Sequence, residues 1–248
     1  MENLPRCLIG IPNGSGFIPA YVVDGLFKIN RPIPTSLLII ERQTVDSARN
    51  YIIEVAIKTG VEYLLFLDDD GVMPANTLEL MLSDDKDIVG APMMTRNAKE
   101  DGKHKLCCFN KVEFPVGNGR FVYKYKSIDN FDMSKGPLHR VDAIGGACLL
   151  IKRNVFIEMF KKYNGTPFEF IREFYDNGEG KYTVRNVSED LTFAERAVDS
   201  GFEIWVDTRI RPIHLGKPEF IRFEQEGENL SKINPGLKSA ATLSESLI

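Results

Sequence analysis

The chain has 248 residues, 43% of them hydrophobic and 27% charged, and its 31 basic and 35 acidic side chains leave a net charge of −4. At roughly 150 residues per domain this is one large or two small soluble globular domains, which excludes collagen-like, coiled-coil and wholly disordered chains. The mild acidity gives no bulk attraction for nucleic acid, and no stretch approaches the roughly 20 apolar residues that span a bilayer.

The first half alternates strand-like and helix-like segments. Cys7–Ile11 is a short apolar run closed by Pro12-Asn13-Gly14, a strand and then a turn. Ile18, Val22, Leu26 and Ile29 fall at helical spacing, and Ser36–Ile40 reads as a second strand. Val45, Ala48, Ile52, Val55, Ala56 and Thr59 mark the next helix, with Gly60 as its C-cap. Tyr63–Leu67 is a buried strand, Pro74 starts a helix carrying Leu78, Met81 and Leu82, and Asp87–Ala91 is a fourth strand. Such repetition implies right-handed crossovers and a parallel sheet with helices on both faces. Ligands of these sheets collect at the carboxyl ends of the strands.

Residues 97–140 read differently, with a hairpin expected around Val116-Gly117-Asn118-Gly119 and Phe121–Tyr125. Val141–Ile151 returns to a buried strand, and Asn154–Phe160 to a short helix. Residues 163–182 read as an irregular segment whose aromatics could stack on sugar rings but read first as packing beneath their own loop. Ser188 caps a helix that ends at Gly201, followed by strands Glu203–Val206 and Ile210–His214. One domain over residues 1–227 and a poorly ordered tail over 228–248 are expected. Cys7, Cys107, Cys108 and Cys148 form no C-x-x-C pair and read as reduced, mostly buried thiols. With no signal-peptide layout in Met1–Arg6, they point to a cytoplasmic protein.

The chemistry begins at Asp68-Asp69-Asp70, directly after the Tyr63–Leu67 strand. Three adjacent carboxylates repel one another, and a divalent cation offsets that cost. Strand alternation would turn Asp68 and Asp70 to one side, and oxygen-only ligands favour Mg²⁺ or Mn²⁺ over Zn²⁺. A plain acidic turn before Gly71 is the competing reading. Glu189 and Asp190 open a helix, where the dipole alone would favour acids. A carboxylate there could also take a proton from a hydroxyl. Gly145-Gly146 allows close backbone approach, to a ligand or to a neighbouring strand. His214, one of three histidines with His104 and His139, ends a strand.

Taken in order, these segments resemble the GT-A-fold glycosyltransferases, closest to the broad family 2-like group. The Asp-x-Asp motif is matched by Asp68-Asp69-Asp70, the glycine loop by Gly145-Gly146-Ala147, the x-Glu-Asp motif by Ser188-Glu189-Asp190, and the C-terminal histidine by His214. Asp46-Ser47-Ala48-Arg49-Asn50 is similar to the family's "ARN" helix. The resemblance covers about residues 6–216. It implies an α/β, Rossmann-like GT-A fold: a mostly parallel central sheet, helices on both faces and a small added β-hairpin region.

It further implies a nucleotide-sugar donor, a UDP- or GDP-sugar, held through Mn²⁺ or Mg²⁺, and a carbohydrate or other hydroxyl acceptor. Asp70 and His214 would bind the cation, with Asp68 facing the ribose or the cation's water shell. Ile11, Pro12 and Asn13 would border the base. Asp46 and Arg49 would contact the nucleotide, and Asp69 and Glu189 belong to the donor-binding motifs. Gly145 and Gly146 would line the donor-sugar and acceptor cleft, and Asp190 would be the general base of an inverting transfer. A retaining course would leave Asp190 without that role, and the sequence leaves both open. By position alone, Lys217 and Arg222 could close over the diphosphate. Arg96 could help bind phosphate or acceptor but reads first as a solvated surface residue, and Trp205 reads as core rather than as a sugar platform. Two other readings compete: a sugar-nucleotide nucleotidyltransferase and a non-catalytic nucleotide- or carbohydrate-binding module. The absence of a basic residue in the Gly10–Gly16 loop counts against the first.

Overall fold

A computed structural model describes residues 5–96, 103–117, 120–176, 182–215 and 220–222. The chain opens as β1 (Cys7–Asn13), α1 (Ala20–Lys28), β2 (Thr35–Glu41), α2 (Val45–Thr59) and β3 (Tyr63–Leu67). β1 lies between β2 and β3 and is parallel to both. A chain that crosses from β1 outward to β2, then back past β1 to β3, puts its two right-handed crossovers on opposite faces. Accordingly, Val22 and Leu26 of α1 pack with Ile9, Leu65 and Leu67, whereas Ile52, Ile53 and Ala56 of α2 pack with Leu8, Leu64 and Phe66. Alternate side chains of β3 thus feed two different cores. α2 stops at Gly60, whose φ of 68° lies in the left-handed region that costs other residues about 1–2 kcal/mol.

Next come β4 (Gly71–Val72), α3 (Thr77–Ser83), β5 (Ile88–Gly90), β6 (Cys108–Gly117) and β7 (Arg120–Ser127). β6 and β7 form the expected added hairpin. They are followed by β8 (Leu138–Val141), β9 (Ala143–Ile144), β10 (Cys148–Lys152) and α4 (Arg153–Lys162). The expected continuous strand Val141–Ile151 is therefore interrupted. β9 pairs with β6, the chain turns at Gly145–Ala147, and β10 resumes in the central sheet.

The central sheet has the order β2-β1-β3-β10-β5-β13-β8, where β13 is Ile204–Asp207. It is mixed rather than mostly parallel. β10 lies antiparallel to both β3 and β5, and β8 antiparallel to β13, leaving β1–β2, β1–β3 and β5–β13 as the parallel pairs. The reason lies in the connection. β10 starts from the Gly145–Ala147 turn, which lies at the carboxyl end of β3, where the Asp68 N–H meets Ala147 O, so it runs back against β3 and β5. Helices do cover both faces, α2, α4 and α5 (Glu189–Asp199) on one and α1 and α3 on the other.

The segment expected to be irregular, 163–182, contains β11 (Ile171–Asp176), which pairs antiparallel with β12 (Tyr182–Val187) at and beyond its end. Its aromatics do not share one loop core. Phe168 stacks on Phe193 at 4.4 Å and meets Phe66 edge-on at 5.5 Å in the main core, while Phe170 and Phe174 are exposed. β14 (Ile213–Leu215) and β15 (Phe220–Arg222) complete a small sheet with β4. Among the described residues no helix is long and apolar enough to cross a membrane. The expected tail at 228–248 lies outside the described residues.

Candidate active site

β3 ends at Leu67, and the next three residues turn rather than extend, so strand alternation does not aim the aspartates. Pairing does. The Asp68 backbone N–H donates to Ala147 O at 3.0 Å, and Asp70 O accepts from the Leu215 N–H at 2.8 Å. Because β4 pairs with β14, His214 stands opposite Gly71. His214 Nε2 then lies 3.1 Å from Asp70 Oδ2, while its Nδ1 is 2.8 Å from Met94 O. That carbonyl can only accept, so Nδ1 carries a proton and Nε2 is the atom turned to Asp70. Burial works against the imidazolium, but Asp70 and the Met94 carbonyl outweigh it and hold the His214 pKa above its ordinary value. Arg96 adds a second cation 3.4 Å from Asp70 Oδ2, a contact that its expected surface position did not suggest. Partial burial, with Asp70 and Asp68 on either side, pushes the Asp69 carboxyl up to about 6.

Arg49 reaches from α2 into this cluster with a side chain only 2% exposed. NH2 donates to Asp68 Oδ1 at 2.8 Å and NH1 to Glu189 Oε1 at 2.6 Å. The guanidinium also lies 5.9 Å from the Phe66 ring centre and 5.4 Å from that of Phe168. Burying a cation costs several kcal/mol, which two carboxylates and two ring faces can offset. Burial raises the carboxyl pKa of both Asp68 and Glu189, with Arg49 opposing it. A Cβ on Gly146 would fall 2.5–2.7 Å from the guanidinium atoms, so this glycine lets the loop before β10 lie against Arg49. Where the resemblance implied a nucleotide contact for Arg49 and a cleft lining for Gly146, the two side by side form a buried packing contact.

Asp190 opens α5 one residue after Glu189. Its Oδ1 accepts from the Leu191 N–H at 2.8 Å and from the Ser188 hydroxyl. Ser188 therefore holds the Asp190 side chain rather than capping a backbone N–H, a role its cap position did not reveal. The other oxygen faces the glycine loop, since a Cβ on Gly145 would lie 3.6 Å from Asp190 Oδ2 and 3.0 Å from Cys107 Cβ.

At the carboxyl end of β1, Asn13 is 1% exposed. Its Oδ1 accepts from Ser15 and Gly16, but its Nδ2 is buried without a hydrogen-bond partner among the described residues. Asp46 Oδ1, in the first turn of α2, is buried in the same condition. The loops carrying them adjoin, since Arg42 N donates to Asn13 O at 2.9 Å. Ile11 is wholly buried in the core that includes α1.

Trp205 packs with the α1–α3 core as expected, with Lys86 Nζ 4.3 Å from its ring centre. His104 contacts Thr95 O, and His139 lies against Phe131. Lys217 and the Arg222 side chain lie outside the described residues. Among the described residues no group of three or more His, Cys, Asp or Glu side chains is arranged to enclose a metal ion.

No protein-family model matches the chain, and no curated protein matches it. Among solved structures, A197 from STIV, which has a GT-A-like glycosyltransferase fold, matches at a TM-score of 0.50 and 15% identity. That match covers 91% of this chain and 97% of A197. The chain therefore shares this fold. TarS from S. aureus, residues 1–349 in complex with UDP-GlcNAc, matches at a TM-score of 0.42 and 14% identity, covering 92% of this chain and 61% of that one.

Proposed function

We propose that this chain is a cation-dependent, hexosyltransferase-like glycosyltransferase that moves a sugar from a nucleoside-diphosphate sugar to an acceptor hydroxyl with inversion. The observation that carries this reading is a single juxtaposition. Asp68, two residues before the Asp70–His214 pair, bonds the glycine loop at Ala147, Asp190 Oδ2 faces the same loop at Gly145, and Arg49 ties Asp68 to Glu189 beside Asp190.

The donor set fits Mn²⁺ or Mg²⁺. Asp70 Oδ2 and His214 Nε2 already face each other, and these cations take one or two protein ligands and fill the rest with water and phosphate oxygens. Asp70 and His214 would hold the cation, with Asp68 at its water shell. When bound, it supplies charge stabilisation to the departing diphosphate.

The protein's own groups do the rest. Asp190 Oδ2 accepts the proton of the acceptor hydroxyl while Ser188 and the Leu191 N–H hold Oδ1. The acceptor oxygen bonds to the anomeric carbon, the bond from that carbon to the phosphate oxygen breaks, and its electron pair leaves with the diphosphate. A UDP- or GDP-sugar is the donor, its base bordered by the adjoining loops that carry Asn13 and Asp46.

The test is a thermal-shift screen of UDP-, GDP-, CDP- and dTDP-sugars with and without Mn²⁺, followed by turnover of the stabilising donor. Asp190→Asn should lower turnover by about 10²–10⁴-fold with nucleotide binding intact. Asp70→Ala should remove Mn²⁺-dependent nucleotide binding measured by calorimetry. Retained turnover in Asp190→Asn overturns the base assignment, and unchanged affinity in Asp70→Ala makes the acidic cluster structural.

A further inference from the structure

We infer that Arg49 is a positioning residue, which ties the carboxylate end of β3 to the base-bearing start of α5 so that the two halves of the site keep one geometry. The inference rests on the glycosyltransferase reading above. Four separated chain segments meet at this one guanidinium: α2, which carries it; Asp68 after β3; Glu189 at the start of α5; and Gly146 before β10. Among the described residues no other guanidinium bonds Asp68 or Glu189, and Asp190 follows Glu189 directly in the chain.

Two other roles fit the geometry less well. A donor contact needs accessible N–H groups, yet Arg49 is 2% exposed and points NH1 and NH2 at two carboxylates. A packing role alone would not need charge. An apolar side chain between Phe66 and Phe168 would avoid the desolvation cost, and such replacements of buried ion pairs are often neutral or stabilising. What the guanidinium adds is its planar fork, which fixes two acceptors in direction as well as distance. An error of about 1 Å in a reacting group can cost about 10²-fold in rate, so a rigid link between the two carboxylate elements has a measurable effect.

The test compares wild type with Arg49→Lys, and with Arg49→Met/Glu189→Gln. The double variant covers the case in which loss of Arg49 alone unfolds the chain. It leaves only Asp68 unpaired, and that side chain is 29% exposed and can be hydrated. UDP, GDP, CDP and dTDP with Mn²⁺ are the calorimetric probes, and donor turnover gives kcat and KM. In both variants kcat should fall about 10–100-fold. Nucleotide affinity should stay within about threefold, since the loss is in alignment rather than in uniform binding. Amide hydrogen exchange at Glu189–Thr192 should quicken about tenfold, as the start of α5 loses its tether.

A lower melting temperature with kcat unchanged overturns the inference in favour of packing. Affinity falling by the same factor as kcat/KM overturns it in favour of donor contact. Wild-type protein that neither binds any of the four nucleotides nor turns over a donor overturns the functional reading and the inference with it. Faster exchange in the variants would then record a structural clamp only.

Discussion

Arg49 and Arg209 each sit between two carboxylates, but the two triads are built inside out. At Arg49 the guanidinium is buried, 2% exposed, and its partners Asp68 and Glu189 are 29% and 10% exposed. At Arg209 the guanidinium is 38% exposed, while Asp84 and Asp207 are 2% and 0%. Arg209 Nε and NH2 bond Asp207 at 2.9 and 2.8 Å, and NH2 also bonds Asp84, joining the end of α3 to the end of β13. A buried cation leaves its carboxylates partly turned outward, where a ligand can use them. An outer cation over buried carboxylates leaves nothing for a ligand and serves only to staple two elements. On the proposed function, similar residue sets therefore serve a site in one place and a fastening in the other, and relative burial separates them.

The contrast is tested most severely by removing each cation. Arg49→Met leaves Glu189 buried beside Asp68 with no counter-charge, and loss of one partner from a buried pair costs about 3–5 kcal/mol. Arg209→Met leaves Asp84 and Asp207 buried without their guanidinium, but Asp84, already pushed up to about 6, can take a proton between the two carboxylates, which limits the loss to about 1–2 kcal/mol. Urea denaturation at neutral pH measures both. Equal losses would mean that Asp84 and Asp207 stay charged when Arg209 is removed and that no proton relieves them. A smaller effect comes from Gly146→Ala. The methyl would meet the end of a flexible side chain, which normally swings aside, but here that end is held by two ion pairs and two rings. A cost of about 1–3 kcal/mol follows, as for overpacking. Gly145→Ala, whose Cβ would find its nearest neighbour at 3.0 Å, should cost less.

How far the sequence discloses all this depends on the range of each interaction. α2 and its stop at Gly60 are legible because helical periodicity and the left-handed cap are local. β3 is legible as Tyr63–Leu67 for the same reason. Strand order is not local. Nothing in Cys148–Lys152 announces that it will lie antiparallel between β3 and β5, so a parallel majority is the natural and mistaken expectation. The β11–β12 pair escapes notice because it depends on cross-strand partners such as Glu173 and Arg185, and Ile171–Asp176 has no clean alternation. In the site, Asp68–Asp70, Asp190 and His214 can be named from motif order. That Arg49 would turn to Glu189, 140 positions away, and that Asn13 and Asp46 would keep unpaired buried atoms, are facts of packing alone.

The smallest expected effect lies in the outer triad and depends on pH. Burial and the neighbouring Asp207 push the Asp84 carboxyl up to about 6, with Arg209 pulling the other way. In the unfolded chain an aspartate titrates near ~3.9. Between these values the native state binds a proton that the unfolded state has released. The contribution of Asp84 to stability is therefore fully present below about pH 4 and is lost as pH rises through about 6. Asp84→Asn removes that titration while keeping a carbonyl for Arg209. The stability of this variant relative to wild type should then rise between pH 4 and pH 7, by about 1 kcal/mol after allowance for screening at the exposed guanidinium. Other titrating groups are common to both proteins and cancel in the difference, which paired thermal melts across that range would read. A difference that stays flat would place Asp84 in water rather than beneath Arg209. The outer triad would then have its carboxylates turned outward like those of Arg49, and the inversion between the two would be lost.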